Sequence, residues 1–305
     1  MTNKKVKNTK LKLHPRSKHR GLYNFKELIK SHSKLAEFVK LNDYNNESID
    51  FFNPNAVKSL NTALLKHFYG IKSWDIPPNY LIPPIPGRAD YIHYIADLLS
   101  NFDNKKIPKG NKIRCLDIGT GASCIYPIIG TWEYKWSFVA SDIDPISINS
   151  AKKIISENSN LKENIEIRLQ NNSDNIFNGI IKEGEFFDVT MCNPPFHSSQ
   201  KEARAGTIRK LRNLKNKKHN KVSLNFGGQS NELWCNGGEE QFVENMIRES
   251  QQFAKSCLWF TCLISKESKL NSVYSALKKA KVSKIKTIEM GQGNKKSRIV
   301  AWSFF

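Results

Sequence analysis

Residues 112–121 have the sequence KIRCLDIGTG, a pattern that predicts a short β-strand running into a glycine turn. A helix is predicted directly after this turn, at residues 123–130. Glycines at alternate positions after a parallel strand let the backbone approach a bound ligand, at the carboxyl edge where open α/β sheets bind their ligands. A dinucleotide-binding turn would require a third glycine at the position of Cys124, so the pattern disfavours a pyrophosphate cofactor.

A second predicted strand, residues 136–142, ends in an acidic side chain. Its sequence is WSFVASD, and Asp142 follows the glycine turn by about 20 residues, the spacing expected of a carboxylate that binds ribose hydroxyl groups. The alternative is that Asp142 caps the helix that begins near Pro145, but Asp144 is better placed for that capping role. We therefore expect Asp142 to contact a nucleoside.

A third predicted strand, residues 186–192, ends in Asn193-Pro194-Pro195-Phe196. Proline fixes its own φ and holds the preceding residue extended, so Asn193 is expected at the strand end in a fixed orientation. Its side-chain oxygen and the Pro194 carbonyl can accept the two N–H groups of one planar amino group, and Phe196 can stack on the attached ring. For this motif taken alone, the alternative is a turn that only ends the strand.

In combination, these three strand ends resemble the class I S-adenosylmethionine-dependent methyltransferases that act on amino groups. The resemblance implies that the glycine turn lies beside the methionine part of S-adenosyl-L-methionine, that the acid binds its ribose, and that the Asn-Pro-Pro-aromatic motif binds the amine. One departure is Ser123, where many members have a third glycine. The residues that match the cofactor positions are Asp117, Gly119, Thr120, Gly121 and Asp142, and those that match the substrate motif and are predicted to be catalytic are Asn193, Pro194, Pro195 and Phe196.

The composition is typical of a cytoplasmic globular protein. The 305 residues contain no run of about 18 apolar residues that could span a membrane. Residues 1–12 lack the apolar segment and the cleavage site of a secretory signal. The six cysteines form no C-x-x-C pair and are predicted to be reduced core residues, so neither a disulfide nor a metal site is expected.

The net charge of +20 is concentrated in two segments. Residues 1–30 contain ten lysines and arginines against one glutamate, and residues 201–222 contain nine against one glutamate, so these segments carry +17 of the total. Basic segments bind phosphate backbones and supply most sequence-independent affinity for nucleic acids, whereas the alternative is a solvated charge run. In the second segment, the predicted RNA contacts are Arg204, Arg209, Lys210 and Arg212.

The chain is predicted to contain two folded parts. Residues 1–12 are predicted to be a disordered basic tail, and residues 13–86 a small, mainly helical, RNA-binding region. Residues 87–305 are predicted to be the catalytic domain, interrupted by a long polar and basic insert at residues 197–238.

The pattern of apolar residues predicts the elements of these parts. Helices are expected at residues 25–39, 55–68 and 88–99, with a proline-rich connector at residues 76–87. Beyond the three strands described above, strands are expected at residues 165–169, 258–264, 285–290 and 298–305. The alternation of strands and helices predicts an α/β fold with a doubly wound parallel sheet that ends in an antiparallel hairpin.

Stretches outside the three motifs resemble one subfamily, the ribosomal RNA large subunit methyltransferase F family. They begin near His14 and include residues 83–94, 116–130 and 225–235. This family methylates adenine N6 in bacterial 23S ribosomal RNA, and its eukaryotic relatives methylate adenine in small nuclear RNA and messenger RNA. The resemblance implies a Rossmann-like seven-stranded methyltransferase sheet and S-adenosyl-L-methionine as cofactor. It also implies that the partner is 23S ribosomal RNA or a large-subunit assembly intermediate. A monomer without a metal is expected, although no pattern in the sequence indicates the oligomeric state.

The same resemblance implies further site residues. Arg88 is expected to contact the cofactor carboxylate, and Asn172, which follows the strand predicted at residues 165–169, is also expected to contact the cofactor. Without the resemblance, Arg88 would be interpreted as a helix cap and Asn172 as a turn residue. The basic arm that follows the tail has no predicted core role and is expected to contact RNA, with a solvated tail as the alternative. Its predicted RNA contacts are His14, Arg16, Lys18, His19 and Arg20.

The predicted reaction is direct in-line transfer of the sulfonium methyl group to adenine N6, without a metal or a covalent intermediate. Three alternatives stay open at this point. The Asn-Pro-Pro motif also fits guanine N2 of ribosomal RNA or the side-chain amide of a protein glutamine. A non-catalytic RNA-binding protein that retains the cofactor fold is the third alternative.

Overall fold

The computed structural model describes residues 13–100, 106–195, 235, 237–292 and 295–305, without the side chains of Gln292 and Lys295. Five predicted site residues lie outside this part of the chain, as do the tail predicted at residues 1–12 and most of the insert predicted at residues 197–238. These five residues are Phe196, Arg204, Arg209, Lys210 and Arg212.

A seven-stranded sheet forms the centre of the molecule. Its strands are β3 (Arg114–Ile118), β4 (Ser137–Asp142), β5 (Ile165–Leu169), β6 (Phe187–Cys192), β7 (Cys257–Ile264), β8 (Lys284–Gln292) and β9 (Lys295–Ser303). The order across the sheet is β5-β4-β3-β6-β7-β9-β8. Strands β3 to β7 pair in parallel, whereas β9 is antiparallel to both β7 and β8. The predicted doubly wound sheet with a terminal antiparallel hairpin is therefore confirmed.

The strand order reverses between β3 and β6, which places a crevice at their carboxyl ends. Helices cover both faces of the sheet, and the buried side chains of β3, β4, β6, β7 and β9 divide between two clusters. In β3, for example, Cys115 belongs to one cluster and Leu116 to the other. The helices of this part are α3 (Ile85–Ser100), α4 (Ile125–Tyr134), α5 (Pro145–Glu157), α6 (Gly238–Ser250) and α7 (Leu270–Lys279).

Helix α3 begins three residues earlier than predicted, inside the segment expected to be a connector. Pro86 is the second residue of α3, and proline is tolerated in the first turn of a helix because its missing N–H has no partner there. The proline-rich connector therefore ends at Pro84, and the first turn of α3 includes Arg88.

The N-terminal region contains α1 (Phe25–Ser31), a 3₁₀ helix (Ser33–Phe38), the hairpin strands β1 (Val39–Leu41) and β2 (Glu47–Ile49), and α2 (Pro54–Tyr69). The single helix expected at residues 25–39 is interrupted at His32, whose φ of −152° is extended, and the hairpin was not predicted. Leu35 and Leu64 of this region share one buried cluster with Ile92 of α3. The core is thus continuous across the boundary predicted near residue 86.

The arm that precedes α1 is packed onto α3. The backbone N–H of His14 donates to the Asp90 carboxylate at 3.1 Å, and its Nε2 lies 2.9 Å from Asp97. The Arg16 guanidinium donates to the carbonyl oxygen of His93 at 2.8 Å and pairs with Asp97 at 2.7 Å. The arm therefore has a role in the fold, contrary to the expectation that it has no core role.

Three further arm residues differ in their exposure. His19 is fully buried, with Nε2 2.7 Å from the hydroxyl oxygen of Tyr69 and Nδ1 3.0 Å from that of Tyr23. His14 and His19 are both buried against the protein, which argues against contacts between their side chains and RNA; that the arm contacts RNA stays a prediction. Lys18 is exposed and pairs with Glu133 at 2.7 Å, and Arg20 is partly exposed.

We expect His19→Ala to lower the free energy of unfolding by about 2–4 kcal/mol, because it leaves a cavity and removes a buried partner of the Tyr69 hydroxyl. Equilibrium urea unfolding measures the change. His67→Ala is the matched control, since His67 is exposed on α2, and should alter stability by less than about 0.5 kcal/mol. Equal stability of the two variants would show that the arm is not part of the core.

Candidate active site

The glycine turn between β3 and α4 is held against the end of β4. Gly119 and Gly121 have φ values of +71° and +64°, in the region that glycine adopts without steric cost. The N–H groups of Gly119 and Thr120 both donate to the carbonyl oxygen of Ser141 at 2.9 Å, and that of Gly121 donates to Oδ2 of Asp142 at 2.9 Å. The structure thus brings the predicted turn and the predicted ribose acid into direct contact.

The carboxylates of Asp142 and Asp144 accept hydrogen bonds from different parts of the backbone. Oδ1 of Asp142 accepts the N–H of Asp144 at 2.9 Å, so that Asp142 connects the two loops. Asp144 is the N-cap of α5, and its carboxylate accepts the N–H groups of Ile146 and Ser147. The capping role therefore belongs to Asp144, as its position in the sequence predicted. Asp142 keeps lone pairs for a further donor.

Asp117 is a buried acid at the carboxyl end of β3. Within the described part of the chain, neither of its carboxylate oxygens has a hydrogen-bond partner, and neither does Oγ1 of Thr120. Burial raises the pKa of Asp117 to about 7; Asp142 adds to this rise, whereas the neighbouring Thr120 and Arg88 act against it. The site thus contains buried acceptor atoms that are available for the donors of a ligand.

Arg88 reaches this crevice from α3. Its Nη1 donates to the hydroxyl oxygen of Tyr126 at 3.1 Å, and the guanidinium carbon lies 5.5 Å from the centre of that ring. The Arg88 charge lowers the pKa of Asp117 against the larger effect of burial. Arg88 lies four residues into α3 and forms no N-cap, so the helix-cap interpretation is not supported.

The Asn-Pro-Pro motif begins directly after β6, beside β3 in the sheet. Pro194 is buried, and Asn193 and Pro195 are half-buried. Oδ1 of Asn193 is inaccessible to solvent and has no hydrogen-bond partner among the described residues. This acceptor therefore lies on the strand next to the one that carries Asp117 and the glycine turn.

The hydroxyl group of Tyr91 contacts the end of β6. Its hydroxyl lies 2.8 Å from Oγ1 of Thr261, which donates to the carbonyl oxygen of Thr190 at 2.7 Å. The N–H of Cys192 approaches the same hydroxyl oxygen at 3.4 Å, and the hydroxyl lies 3.5 Å from the carbonyl oxygen of Cys192. Tyr91 was not predicted as a site residue, although it stands in the stretch 83–94 that carried the family resemblance.

Asn172 lies after β5, two strands away from β3. Its Oδ1 accepts the N–H of Asp174 at 2.9 Å, and its own N–H donates to Oε1 of Gln170. The side chain thus closes a turn, as the alternative interpretation expected, and the structure does not bring it against the glycine turn. Its contact with a cofactor stays a prediction.

The segment between α2 and α3 contributes two further unpredicted contacts. The Tyr80 hydroxyl donates to Oδ2 of Asp144 at 2.6 Å, and Nε1 of Trp74 donates to the carbonyl oxygen of Ser123 at 3.0 Å. These residues attach the N-terminal region to the loops at the carboxyl edge of the sheet. No pattern in the sequence signals them, because each contact depends on the tertiary arrangement.

Two expected absences can be examined only where the structure describes the chain. Among those residues, no group of three histidine, cysteine, aspartate or glutamate side chains could hold a metal ion. None of the described helices is long and apolar enough to cross a membrane.

A glycine turn, a second-strand acid and an Asn-Pro-Pro segment at the ends of parallel strands define a class I methyltransferase. The sequence profile of a family described as RNA methyltransferase matches residues 7–305, and the chain belongs to this family.

Curated relatives and solved structures match nearly the whole chain. A protein of Cytophaga hutchinsonii named ribosomal RNA large subunit methyltransferase F is 60% identical over 296 residues, covering 97% of this chain and 92% of the relative. A protein of the same name from Bacteroides thetaiotaomicron is 56% identical over 300 residues, covering 96% and 97%.

Two solved structures share the fold. The hMettl16 catalytic domain in complex with MAT2A 3'UTR hairpin 1 is 32% identical, with a TM-score of 0.81 and coverage of 96% of each chain. The N-terminal domain of human METTL16 in complex with SAH is 30% identical, with a TM-score of 0.75 and coverage of 96% of this chain and 99% of that one.

We expect Tyr91→Phe to lower kcat for methyl transfer about tenfold, because the end of β6 loses the hydroxyl that orients it. Cofactor affinity should stay unchanged. Tyr274→Phe is the control, since its hydroxyl contacts Thr287 on the far edge strand. Rates are measured per folded enzyme, so a purely structural role for Tyr91 would lower stability and leave kcat unaltered.

We expect Asp117→Asn to raise the free energy of unfolding without cofactor by on the order of 2–4 kcal/mol at about pH 8. The folded protein keeps this proton up to about pH 7, whereas the unfolded chain loses it near pH 4. Wild-type stability therefore falls as pH rises through this window, and the gain of the variant grows over the same window.

Urea unfolding at about pH 5 and about pH 8 measures this difference, with the exposed Asp174→Asn as control. A variant that is less stable than wild type at the higher pH would show that the Asp117 carboxylate is stabilised in the folded protein.

Proposed function

We propose that this chain transfers the methyl group of S-adenosyl-L-methionine to N6 of an adenine in 23S ribosomal RNA. The observation that carries the proposal is the buried Oδ1 of Asn193, an acceptor without a partner in the described chain. It lies directly after β6, beside the strand that leads into the glycine turn. The names of the curated relatives support ribosomal RNA as the substrate class.

The crevice between β3 and β6 fits the cofactor. Asp117 and Thr120 have buried oxygen atoms to accept from its polar groups, and the space beside the backbone of Gly119 is open. Asp142 would bind the ribose, and Arg88 the carboxylate. When bound, S-adenosyl-L-methionine supplies an electrophilic sulfonium methyl group. The related domain solved with SAH supports this choice of cofactor.

Asn193 and Pro194 would hold the adenine amino group through its two N–H groups. The lone pair of N6 is delocalised into the ring, which makes this nitrogen a poor nucleophile. Acceptors on both N–H groups favour the positive charge that builds on nitrogen during transfer, so they stabilise the transition state more than the ground state. Phe196 would stack on the extruded base, a contact worth about 1–3 kcal/mol.

The proton on N6 can leave to solvent after transfer, so the mechanism requires no dedicated base. Guanine N2 would present the same two N–H groups to the same acceptors. The choice of adenine therefore rests on the family and not on the geometry of the motif.

Contacts to RNA are proposed from basic side chains of the arm and of the insert. In the arm these are Arg16, Lys18 and Arg20, since His14 and His19 are buried. In the insert they are Arg204, Arg209, Lys210 and Arg212. The net charge of +20 favours a polyanionic partner, and salt should weaken binding accordingly. We also propose that the enzyme is a cytoplasmic monomer that acts on 23S ribosomal RNA or on a large-subunit assembly intermediate.

We expect Asn193→Ala to lower the rate of methyl transfer to ribosomal RNA by about 10²–10³-fold, the typical cost of removing one such electrostatic contact. Cofactor affinity should be unchanged. Transfer from labelled S-adenosyl-L-methionine, followed by nucleoside analysis, measures both the rate and the product. The matched control is Asn111→Ala, an exposed asparagine before β3, which should keep wild-type activity.

Two results would overturn the proposal. Near wild-type transfer by Asn193→Ala would exclude the acceptor role of Asn193. Labelled N2-methylguanine, or label in protein instead of RNA, would assign the wild-type enzyme to another substrate.

A further inference from the structure

The hairpin of the N-terminal region exposes an unusual number of large apolar side chains. The exposed fraction is 65% for Leu41, 70% for Tyr44, 54% for Phe51 and 41% for Phe52. They represent four of the twelve exposed large apolar residues in the described chain, within residues 41–52. We call these four residues, together with Asp43, Glu47 and Asp50, the hairpin surface.

The hairpin surface extends beyond the core that anchors it. Val39 pairs with Ile49, which is buried, whereas the next pair on the same face joins the exposed Leu41 and Glu47. Tyr44 lies in the turn, beyond Leu41 and away from the buried Ile49. Leu41 and Tyr44 therefore do not support the local fold in the way that Val39 and Ile49 do, and burying the exposed apolar residues on a partner would remove apolar area from water.

The turn of the hairpin is held in one conformation by its own hydrogen bonds. The Asn42 side-chain oxygen accepts the N–H groups of Tyr44 at 2.9 Å and Asn46 at 3.1 Å, and the N–H of Asn42 donates to the carbonyl oxygen of Asn46. Asn45 adopts a φ of +56°, which asparagine tolerates well. Tyr44 is thus presented on an ordered turn, which reduces the entropy lost on binding.

The charge of this surface is opposite to that of the whole chain. Residues 37–53 contain four acidic residues and one lysine, a net charge of −3 in a chain of +20. The next lysine, Lys58, is paired with Asp75. Phosphate groups would be repelled here, whereas lysine and arginine side chains would be attracted. The partner that fits is a basic protein segment with apolar side chains.

The hairpin surface is connected to the catalytic edge through α2 and the connector. It leads directly into α2, where Asn61, near the middle of the helix, donates to the carbonyl oxygen of Pro83 in the connector at 2.7 Å. In the same connector, Tyr80 contacts Asp144 at the end of β4. These contacts link the hairpin surface, through α2 and the connector, to the loops at the carboxyl edge of the sheet.

We propose that the hairpin surface binds a basic protein segment of the ribonucleoprotein particle that carries the substrate RNA. The inference rests on the proposed function for the identity of the particle, but not for the binding itself. The enzyme would then hold its substrate by two surfaces of opposite charge, with basic side chains on RNA and the acidic, apolar hairpin on protein.

Two double variants test the proposal. Tyr44→Ser/Phe52→Ser removes exposed apolar area, and Asp43→Lys/Glu47→Lys reverses two exposed charges. Their controls are Ile285→Ser, an exposed apolar residue on β8, and Glu163→Lys/Glu183→Lys, which makes the same change in net charge elsewhere. The probes are large-subunit particles from cells that lack the enzyme, and the RNA extracted from those particles.

Without cofactor, we expect both hairpin variants to bind particles about tenfold more weakly by sedimentation, while binding extracted RNA no more weakly than wild type. The direction in which Asp43→Lys/Glu47→Lys changes the affinity is decisive. If the hairpin surface contacted RNA, two added lysines would tighten binding to both probes. Tighter binding to particles, unchanged binding to particles, or a shared loss on extracted RNA would each overturn the proposal.

Methyl transfer on the same two probes separates this inference from the proposed function. We expect the hairpin variants to show about a tenfold higher KM on particles, with kcat and the KM for extracted RNA unchanged. A wild-type enzyme that binds particles but methylates neither probe would contradict the proposed function alone. A concentration-dependent dimer that Tyr44→Ser/Phe52→Ser abolishes would assign the surface to a second copy and overturn the inference.

Discussion

The parallel pairing of β3 with β6 is the constraint on which the site depends. Each strand ends at the same edge, and the two chain segments that follow diverge because the strand order reverses between them. The glycine turn leaves β3 and the Asn-Pro-Pro segment leaves β6, so a methyl donor and a methyl acceptor can lie side by side. The chemistry is thus a consequence of strand order as much as of residue type.

Helix α3 connects this edge to the rest of the molecule. Asp90 and Asp97 hold the arm, Arg88 reaches the Asp117 crevice, and Tyr91 supports the end of β6. The negative charges of α3 explain why a basic arm folds back onto the protein. One helix thus carries the contacts of the arm, of the crevice and of the end of β6.

Local patterns predicted most of the fold and the main site. The strand and turn at residues 112–121, Asp142 and the Asn-Pro-Pro motif are continuous segments whose geometry follows from residue types. The packing of the arm was not predictable in this way, because His14 contacts Asp90 and Arg16 contacts Tyr134 across 76 and 118 residues. A basic composition suggested an exposed RNA-binding arm, but burial and hydrogen bonding decide where each side chain lies.

The hairpin at β1 and β2 was missed for a different reason. Its strands have three residues each, and the turn sequence NDYNN shows no apolar alternation. Tyr44 and Leu41 also have no role in the local fold. Their exposure in the structure therefore indicates a binding surface. An apolar, acidic surface on a strongly basic protein would oppose RNA binding nearby, a cost that is hard to explain if RNA were the only macromolecule bound. Charge of both signs on one enzyme fits a substrate that presents both RNA and basic protein.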